Sequence, residues 1–135
     1  MNFKKTIKTR NFKFQHTEIP GLIVVDVLAF GDERGYFLET YKQADFAEGG
    51  IDVDFVQDNQ SRSTAHVLRG LHYQINHPQA KHVRVIKGSV YDVAVDLRQE
   101  SPTFGCALGV ELSEDNHRQF FIPRGFAHGF YVMSD

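Results

Sequence analysis

Short apolar runs rich in Val, Ile and Phe recur along the chain, and turn-forming residues separate them. β-Branched and aromatic residues favour strands, and the 12 Phe and five Tyr strengthen this bias. Short runs between Gly, Pro, Asn and Asp are typical of sandwiches and barrels. We therefore predict a mostly β fold with nine strands, at residues 22–30, 36–41, 53–57, 67–74, 82–86, 90–98, 107–112, 118–122 and 126–133.

Two segments carry further local signals. Within 90–98, Tyr91 and Val93 alternate with Asp92, so this strand has an apolar side and a polar side. The segment 42–48 is the single helical candidate, and Gly49-Gly50 closes it. The sequence has no internal repeat, linker or low-complexity run, so we predict a single domain over residues 1–135.

Charge and composition argue against several classes of partner. The 17 acidic and 15 basic side chains give a net charge of -2, which argues against binding to nucleic acid. No apolar run is long enough to span a membrane, so we expect no membrane partner and a cytoplasmic location. The lone Cys106 is expected to be a buried, unreactive thiol. The basic N-terminal arm up to Lys13 is expected to be a flexible, solvated tail.

Two segments place histidines where a barrel binds its ligands. In 123–128, a turn with Pro and Gly precedes His128, which such a strand can point into the barrel mouth. The alternative is that His128 has a structural role and forms a hydrogen bond with a backbone group. In 69–74, the strand period puts His72 and Gln74 on one face, where they can share a cavity wall.

Other polar residues are candidates with plain structural alternatives. Lys81 and Arg84 have opposite parity on one strand, so only one of them can face the same way as His72. The other is expected to be a solvated cation on an edge strand. The segments 32–39 and 55–61 place carboxylate, amide and guanidinium groups beside aromatic rings, which suits a ligand with phosphates and hydroxyls. For Asp32 the alternative is a role in local turn geometry.

A metal site would need ligands that the sequence does not supply near its histidines. A facial triad has two His and one carboxylate that converge on one point. After His72 there is no His-x-His pair and no acidic residue before Gly88. Lys81 in this stretch would repel a cation. We therefore predict no metal.

Several ordered motifs resemble those of the dTDP-4-dehydrorhamnose 3,5-epimerase family, from roughly residue 19 to the end of the sequence. They are the runs 67–74, 90–98 with 101–105, 122–130, 32–35 with Phe37 and Glu39, and 55–59. The resemblance implies an all-β fold, a cupin-like double-stranded β-helix jelly roll with at most one or two short helices. It also implies a homodimer that uses no metal or organic cofactor and acts on a dTDP-linked 4-keto-6-deoxy sugar.

The same resemblance implies roles for individual residues. His72 matches the proton acceptor, and Lys81 matches the residue near the keto oxygen. The positions that match the nucleotide and sugar site are Arg34, Phe37, Glu39, Gln57, Asp58, Asn59, Arg69 and His128. The expected reaction is epimerisation at C3, C5 or both of dTDP-4-keto-6-deoxy-D-glucose, by removal of a proton next to the C4 ketone.

The family pattern continues into a C-terminal segment that this sequence is expected to lack. In the family that segment carries a tyrosine that donates a proton and an aspartate that pairs with the base histidine. We expect Asp92, on the polar side of its strand, to be a substitute partner for His72 and count it among the catalytic candidates. Two alternatives stay open: a catalytically weak or inactive sugar-nucleotide-binding jelly roll, and a metal-dependent cupin that uses His72 and His128.

Overall fold

The computed structural model of the protein describes residues 2–134, which form eleven strands and one short helix. In chain order the elements are β1 (Phe3–Lys8), β2 (Phe12–Thr17), β3 (Ile23–Val27), β4 (Ala29–Asp32), β5 (Gly35–Leu38), α1 (Gln43–Gly49), β6 (Leu68–His72), β7 (Lys81–Arg84), β8 (Ser89–Asp96), β9 (Ala107–Ser113), β10 (Gln119–Ile122) and β11 (Phe126–Val132). The prediction of a mostly β fold is confirmed.

The strands form two large antiparallel sheets and one hairpin. The five-stranded sheet has the order β1-β2-β3-β10-β7, and the four-stranded sheet has the order β6-β11-β8-β9. Strands β4 and β5 pair only with each other in the described chain. Strands adjacent in space are therefore often distant in sequence, as β3 and β10 are, and this is the pairing pattern of Greek-key and jelly-roll sheets.

The main core lies between the two large sheets. Val24 and Phe120 come from the five-stranded sheet, and Ala94, Val110 and Leu112 come from the four-stranded sheet. All five side chains are buried. This is sandwich packing, in which the inner faces of two sheets interdigitate.

A second core covers the other face of the five-stranded sheet. Ile23 and Phe121 neighbour Val24 and Phe120 in sequence but point to the opposite side, where they pack with Phe46 of α1. Because this sheet is buried on both faces, β10 is apolar or buried at every position rather than alternating. Helix α1 confirms the helix predicted at 42–48, and Gly50 closes it with a left-handed φ of 104°.

Several sequence predictions need correction. The N-terminal arm is not a tail: β1 and β2 pair as a hairpin, because Phe12 and Phe14 alternate on β2 and are buried against the second core. The segment 53–57 is not a strand in the structure, and the run 22–30 splits into β3 and β4 at Leu28. Cys106 is exposed, not buried, since it precedes the edge strand β9.

The polar side of β8 faces inward. Asp92, Ala94 and Asp96 are buried, whereas Tyr91 is exposed on the outer face of the four-stranded sheet. Two carboxylates therefore lie inside the sandwich, where each needs a partner. Within residues 2–134, no helix has the length and apolar character needed to cross a membrane.

Candidate active site

An open cavity of about 390 Å³ lies where β6 ends and where β7 and β11 begin. His72, Lys81, Gly125 and Phe126 line it, together with residues of the loop that joins β6 to β7. The topology explains this convergence, because β6 and β11 are neighbours in one sheet while β7 is the edge strand of the other. Residues from three distant stretches of sequence thus meet at one opening.

His72 is the last residue of β6 and faces this cavity. Its cross-strand partner in the register of β6 and β11 is His128, so two imidazoles lie on adjacent strands. Gln74 also lines the cavity, but it lies beyond the end of β6, and Tyr73 lines the cavity as well, so strand alternation is not what brings His72 and Gln74 together. An exposed imidazole at a cavity wall is free to accept a proton from a bound ligand.

Lys81 is the first residue of β7 and lines the same cavity as His72. Arg84, three residues later on the strand, lines a separate cavity of about 290 Å³. Of these two cations, Lys81 therefore shares a cavity with His72 and Arg84 lines the other. Lys81 is half-buried, which strengthens the effect of its charge on its surroundings.

Asp92 lies behind the cavity and is bonded to His128. The Nε2 of His128 and the Oδ1 of Asp92 are 2.5 Å apart, and the Asp92 side chain is fully buried. Burial raises the pKa of Asp92, while the hydrogen bond from His128 and the positive charge of Lys81 oppose that rise. Its second oxygen, Oδ2, has no hydrogen-bond partner within residues 2–134. Asp92 is thus a buried carboxylate that is only half satisfied.

The expectation that Asp92 pairs with His72 is wrong. The reason is the strand order, since β11 lies between β6 and β8 in the four-stranded sheet. His128 on β11 is therefore the histidine that Asp92 on β8 reaches. The alternation within one strand does not reveal which strand lies next to it.

The predicted nucleotide-site residues on the β4–β5 hairpin lie apart from this cavity. Arg34 is 88% exposed and forms an ion pair with Asp32, at 2.8 Å between Nη2 and Oδ2. Phe37 is 73% exposed and lines the separate 290 Å³ cavity. Glu39 accepts a hydrogen bond from the Asn11 amide at 3.5 Å. All three belong to the hairpin or follow it directly.

The remaining predicted site residues lie on an exposed segment and on the strand that follows it. Gln57, Asp58 and Asn59 are exposed, and the Gln57 amide donates to Asn59 Oδ1 at 3.4 Å. Arg69 on β6 donates from Nε to the Ser63 hydroxyl at 2.8 Å, which fastens this segment to the four-stranded sheet. The structure therefore gathers His72, Lys81, Asp92 and His128, and it leaves the other predicted residues outside their cavity.

Sequence reasoning missed the carboxylate cluster around Asp96. This side chain accepts hydrogen bonds from Arg98, Ser101 and Thr103. The signal was present, because two hydroxyl residues and an arginine follow an inward-facing aspartate within seven positions. Among residues 2–134, no three His, Cys, Asp or Glu side chains are grouped as metal ligands would be.

Two facing antiparallel sheets form a jelly-roll barrel, and one open cavity in it brings a histidine and a lysine together. Comparison with known proteins identifies the family. The sequence model described as dTDP-4-dehydrorhamnose 3,5-epimerase matches residues 16–135. The dTDP-4-dehydrorhamnose 3,5-epimerase of Methanothermobacter thermautotrophicus is 55% identical over 124 residues, which are 92% of this chain and 67% of that protein. The chain belongs to the dTDP-4-dehydrorhamnose 3,5-epimerase family.

Solved structures agree with this assignment. A Legionella pneumophila dTDP-6-deoxy-D-glucose-3,5-epimerase in complex with dTDP-4-keto-L-rhamnose superposes with a TM-score of 0.87 at 52% identity, covering 91% of this chain and 66% of that one. An Elizabethkingia anophelis dTDP-4-dehydrorhamnose 3,5-epimerase gives 0.84 at 49% identity, covering 93% and 69%. The cupin-like jelly roll is confirmed. The chain spans about two thirds of the length of these relatives.

Proposed function

We propose that this protein epimerises C3, C5 or both of dTDP-4-keto-6-deoxy-D-glucose, toward dTDP-4-keto-L-rhamnose, in the synthesis of dTDP-rhamnose or a related deoxysugar. One observation carries the proposal: His72 and Lys81 face a single cavity, with the His128–Asp92 pair on the adjoining strands. The complex of the Legionella relative with dTDP-4-keto-L-rhamnose supports the substrate class. The reaction is a proton removal and a proton return, so this chain's own side chains can supply its chemistry.

His72 is the general base of this proposal. Its neutral imidazole accepts the proton from C3 or C5, and the electron pair of the broken C–H bond moves toward the C4 ketone. Return of a proton from water to the opposite face of the same carbon inverts that centre. A positioned base of this kind contributes about a hundredfold to ten-thousandfold in rate.

Lys81 stabilises the charge that develops on the C4 oxygen. The negative charge of an enolate is costly in a site with little water, and an ammonium placed beforehand offsets this cost. Lys81 shares the His72 cavity, so one substrate can meet the base and the cation together.

The His128–Asp92 pair orients an imidazole beside His72. Asp92 accepts a hydrogen bond from His128, which fixes the ring and its tautomer, as carboxylates commonly do for catalytic histidines. His128 contacts the sugar in this proposal, and Asp92 acts through His128. This role replaces the expected pairing of Asp92 with His72.

The nucleotide is assigned to the predicted residues outside the His72 cavity. Arginines are suited to two phosphates, because a guanidinium offers paired donors. The residues proposed to hold the dTDP moiety and the sugar hydroxyls are Arg34, Phe37, Glu39, Gln57, Asp58, Asn59 and Arg69. All but Glu39 are exposed, so they are accessible to a ligand.

The remaining expectations stay predictions. A homodimer is supported by exposed apolar side chains on the four-stranded sheet, among them Leu68, Leu71 and Tyr91. Sedimentation of the purified chain tests it. The net charge of -2 supports the prediction that no nucleic acid is bound. The cytoplasmic location and the absence of a cofactor rest on the sequence reasoning alone.

Proton exchange tests the activity directly. We expect the purified chain, incubated with dTDP-4-keto-6-deoxy-D-glucose in heavy water, to remove the C3 and C5 proton signals from the NMR spectrum. His72→Ala should abolish exchange and leave dTDP affinity almost intact. His77→Ala is the matched control, since His77 is an exposed imidazole in the loop between β6 and β7. Bound nucleotide without any exchange would instead make this chain a sugar-nucleotide-binding protein.

A further inference from the structure

Asp96 forms a saturated hydrogen-bond cluster at the end of β8. Its oxygens accept from Arg98 Nε and Nη2, both at 3.0 Å, and from the hydroxyls of Ser101 and Thr103, both at 2.6 Å. Although burial alone would raise the pKa of Asp96, these hydrogen bonds hold it well below its usual range. The Asp96 cluster, defined as these four residues, therefore keeps an ionised carboxylate and a rigid arginine.

Arg98 connects this cluster to the turn before β11. Its guanidinium carbon lies 4.8 Å from the centre of the Phe126 ring, which is a cation–π contact. Its aliphatic stem fills the space beside Gly125, where an added Cβ would lie 2.6 Å from the Arg98 Cγ. Arg98 Nη2 also donates to the Pro20 carbonyl at 2.7 Å. Arg98 thus contacts both Gly125 and Phe126 of this turn.

The two residues that Arg98 contacts are part of the His72 cavity. Gly125 and Phe126 line it, and Phe126 pairs with Asp96 in the register of β8 and β11. His128 lies two residues beyond Phe126 on the same strand, so both side chains share a face. A displacement of the Phe126 backbone would therefore move His128 as well.

We propose that Arg98 is a positioning residue for the reaction: held by Asp96, it fixes Gly125 and Phe126 as a cavity wall and sets the place of His128 through β11. The expected effect of Arg98 on turnover rests on the proposed function. The expected effect of Arg98 on the position of His128 does not depend on that function. Arg98 acts through Phe126 and β11 rather than through contact with the substrate.

A second ion pair supplies a matched control. Arg118 and Asp26 are 2.9 Å apart, and the Arg118 side chain is 30% exposed against 33% for Arg98. Neither residue of this pair lines the His72 cavity. Arg118→Gln therefore removes an arginine of similar exposure from an ion pair outside the His72 cavity, although its partner Asp26 is more exposed than Asp96.

The test compares Arg98→Gln with Arg118→Gln by two measurements. The first is the NMR signal of the His128 ring without ligand, assigned with His128→Asn. The second is the rate of C3 and C5 exchange at saturating substrate. We expect Arg98→Gln to shift the His128 signal and to slow exchange about tenfold or more, because small misplacements of reacting groups are costly. The affinity for dTDP should stay within about twofold. Arg98→Lys should restore part of the loss.

A folded Arg98→Gln protein whose His128 signal and exchange rate equal those of Arg118→Gln overturns the proposal. If Arg98→Gln does not fold, Thr103→Val removes one bond of the Asp96 cluster with little change in shape, and an unshifted His128 signal in that variant overturns the proposal. If the unmodified chain exchanges no proton, the proposed function fails, and the His128 signal alone decides whether Arg98 positions this residue.

Discussion

Asp92 and Asp96 lie four residues apart on the same inward face of β8, and both side chains are fully buried. Asp96 accepts hydrogen bonds at both oxygens, from an arginine and two hydroxyls. Asp92 has one bond, from His128, and leaves its second oxygen without a partner in the described chain. The pKa of Asp96 is lowered, whereas burial raises that of Asp92.

We propose that the difference separates a carboxylate with a structural role from one that serves the proposed reaction. A saturated carboxylate stays charged and holds its donors in place, so it stabilises a loop but has no capacity to exchange protons. A half-satisfied carboxylate is poorly stabilised as an anion, and its pKa moves toward the range in which proton transfer takes place. The same residue type on one strand face thus serves two purposes, which its neighbours determine.

The largest effect is expected from Asp96→Ala. Removal of this carboxylate leaves the Arg98 charge and two hydroxyls without their acceptor, which should lower the free energy of unfolding by about 3 to 5 kcal/mol. Denaturant unfolding measures the change. Asp92→Asn is the comparison, and its free energy of unfolding should change by less than about 1 kcal/mol, because a neutral amide removes the cost of burying a charge. Equal losses in the two variants would contradict the distinction.

His82 extends the comparison to a third ionisable group, one that is half-buried on β7. Its ring is bonded to Gln119 at 2.6 Å through Nε2, while Nδ1 has no partner in the described chain. Burial lowers the pKa of His82 to about 4, and the nearby Arg84 charge adds to that fall while the bond to Gln119 opposes it. The lowered pKa means that the unfolded chain binds the proton more readily than the folded chain.

Protonation of His82 therefore favours the unfolded chain. The free energy of unfolding is at its full value above the ordinary pKa of histidine and falls as the pH is lowered toward 4. The loss between neutral pH and pH 4 should be about 3 kcal/mol, because lowering a pKa by one corresponds to about 1.4 kcal/mol. Unfolding curves of the unmodified chain and of His82→Leu, measured at several pH values, test this. In His82→Leu, the free energy of unfolding should not show this loss at low pH. If it depends on pH in the same way in both proteins, His82 is not the cause.

Asp92→Asn is expected to affect exchange more than stability. Without a carboxylate behind it, His128 loses the partner that orients its ring, and we expect exchange to slow by about tenfold to a hundredfold, because small misplacements of groups that contact the substrate are costly. Proton exchange at saturating substrate provides the rate, and denaturant unfolding provides the stability. If Asp92→Asn exchanges protons at the unmodified rate but has a lower free energy of unfolding, then Asp92 has a structural role, as Asp96 does.

The sequence predicted the strands and the helix better than it predicted partners. The alternation in 90–98 and the Gly49-Gly50 stop correspond to β8 and α1, because both signals are local. His72 and Lys81 were identified through the family resemblance, and the structure places them in one cavity. The partner of Asp92 and the inward direction of the polar face of β8 were not predictable, since both depend on strand order and sheet packing.

The N-terminal arm was missed for a related reason. Its lysines suggested a solvated tail, but on β2 Lys13 lies between the buried Phe12 and Phe14, and α1 covers those rings. Charged residues on the exposed side of a strand do not argue against the strand. The period of the phenylalanines was the stronger signal here.

The smallest effect on stability is expected at Arg34, where an ion pair is formed but is exposed. Arg34 bonds to Asp32, and its hydrogen bonds lower the pKa of that carboxylate, yet both groups remain in water. Exposed pairs contribute little to folding, so Arg34→Ala should leave the denaturation midpoint unchanged. Because we assign Arg34 to the nucleotide phosphates, the affinity for dTDP should fall by about tenfold. Calorimetric titration with dTDP measures this, with Arg10→Ala as the control, since Arg10 is another exposed arginine. A lowered midpoint with unchanged affinity would show that exposure does not separate binding groups from structural ones in this chain.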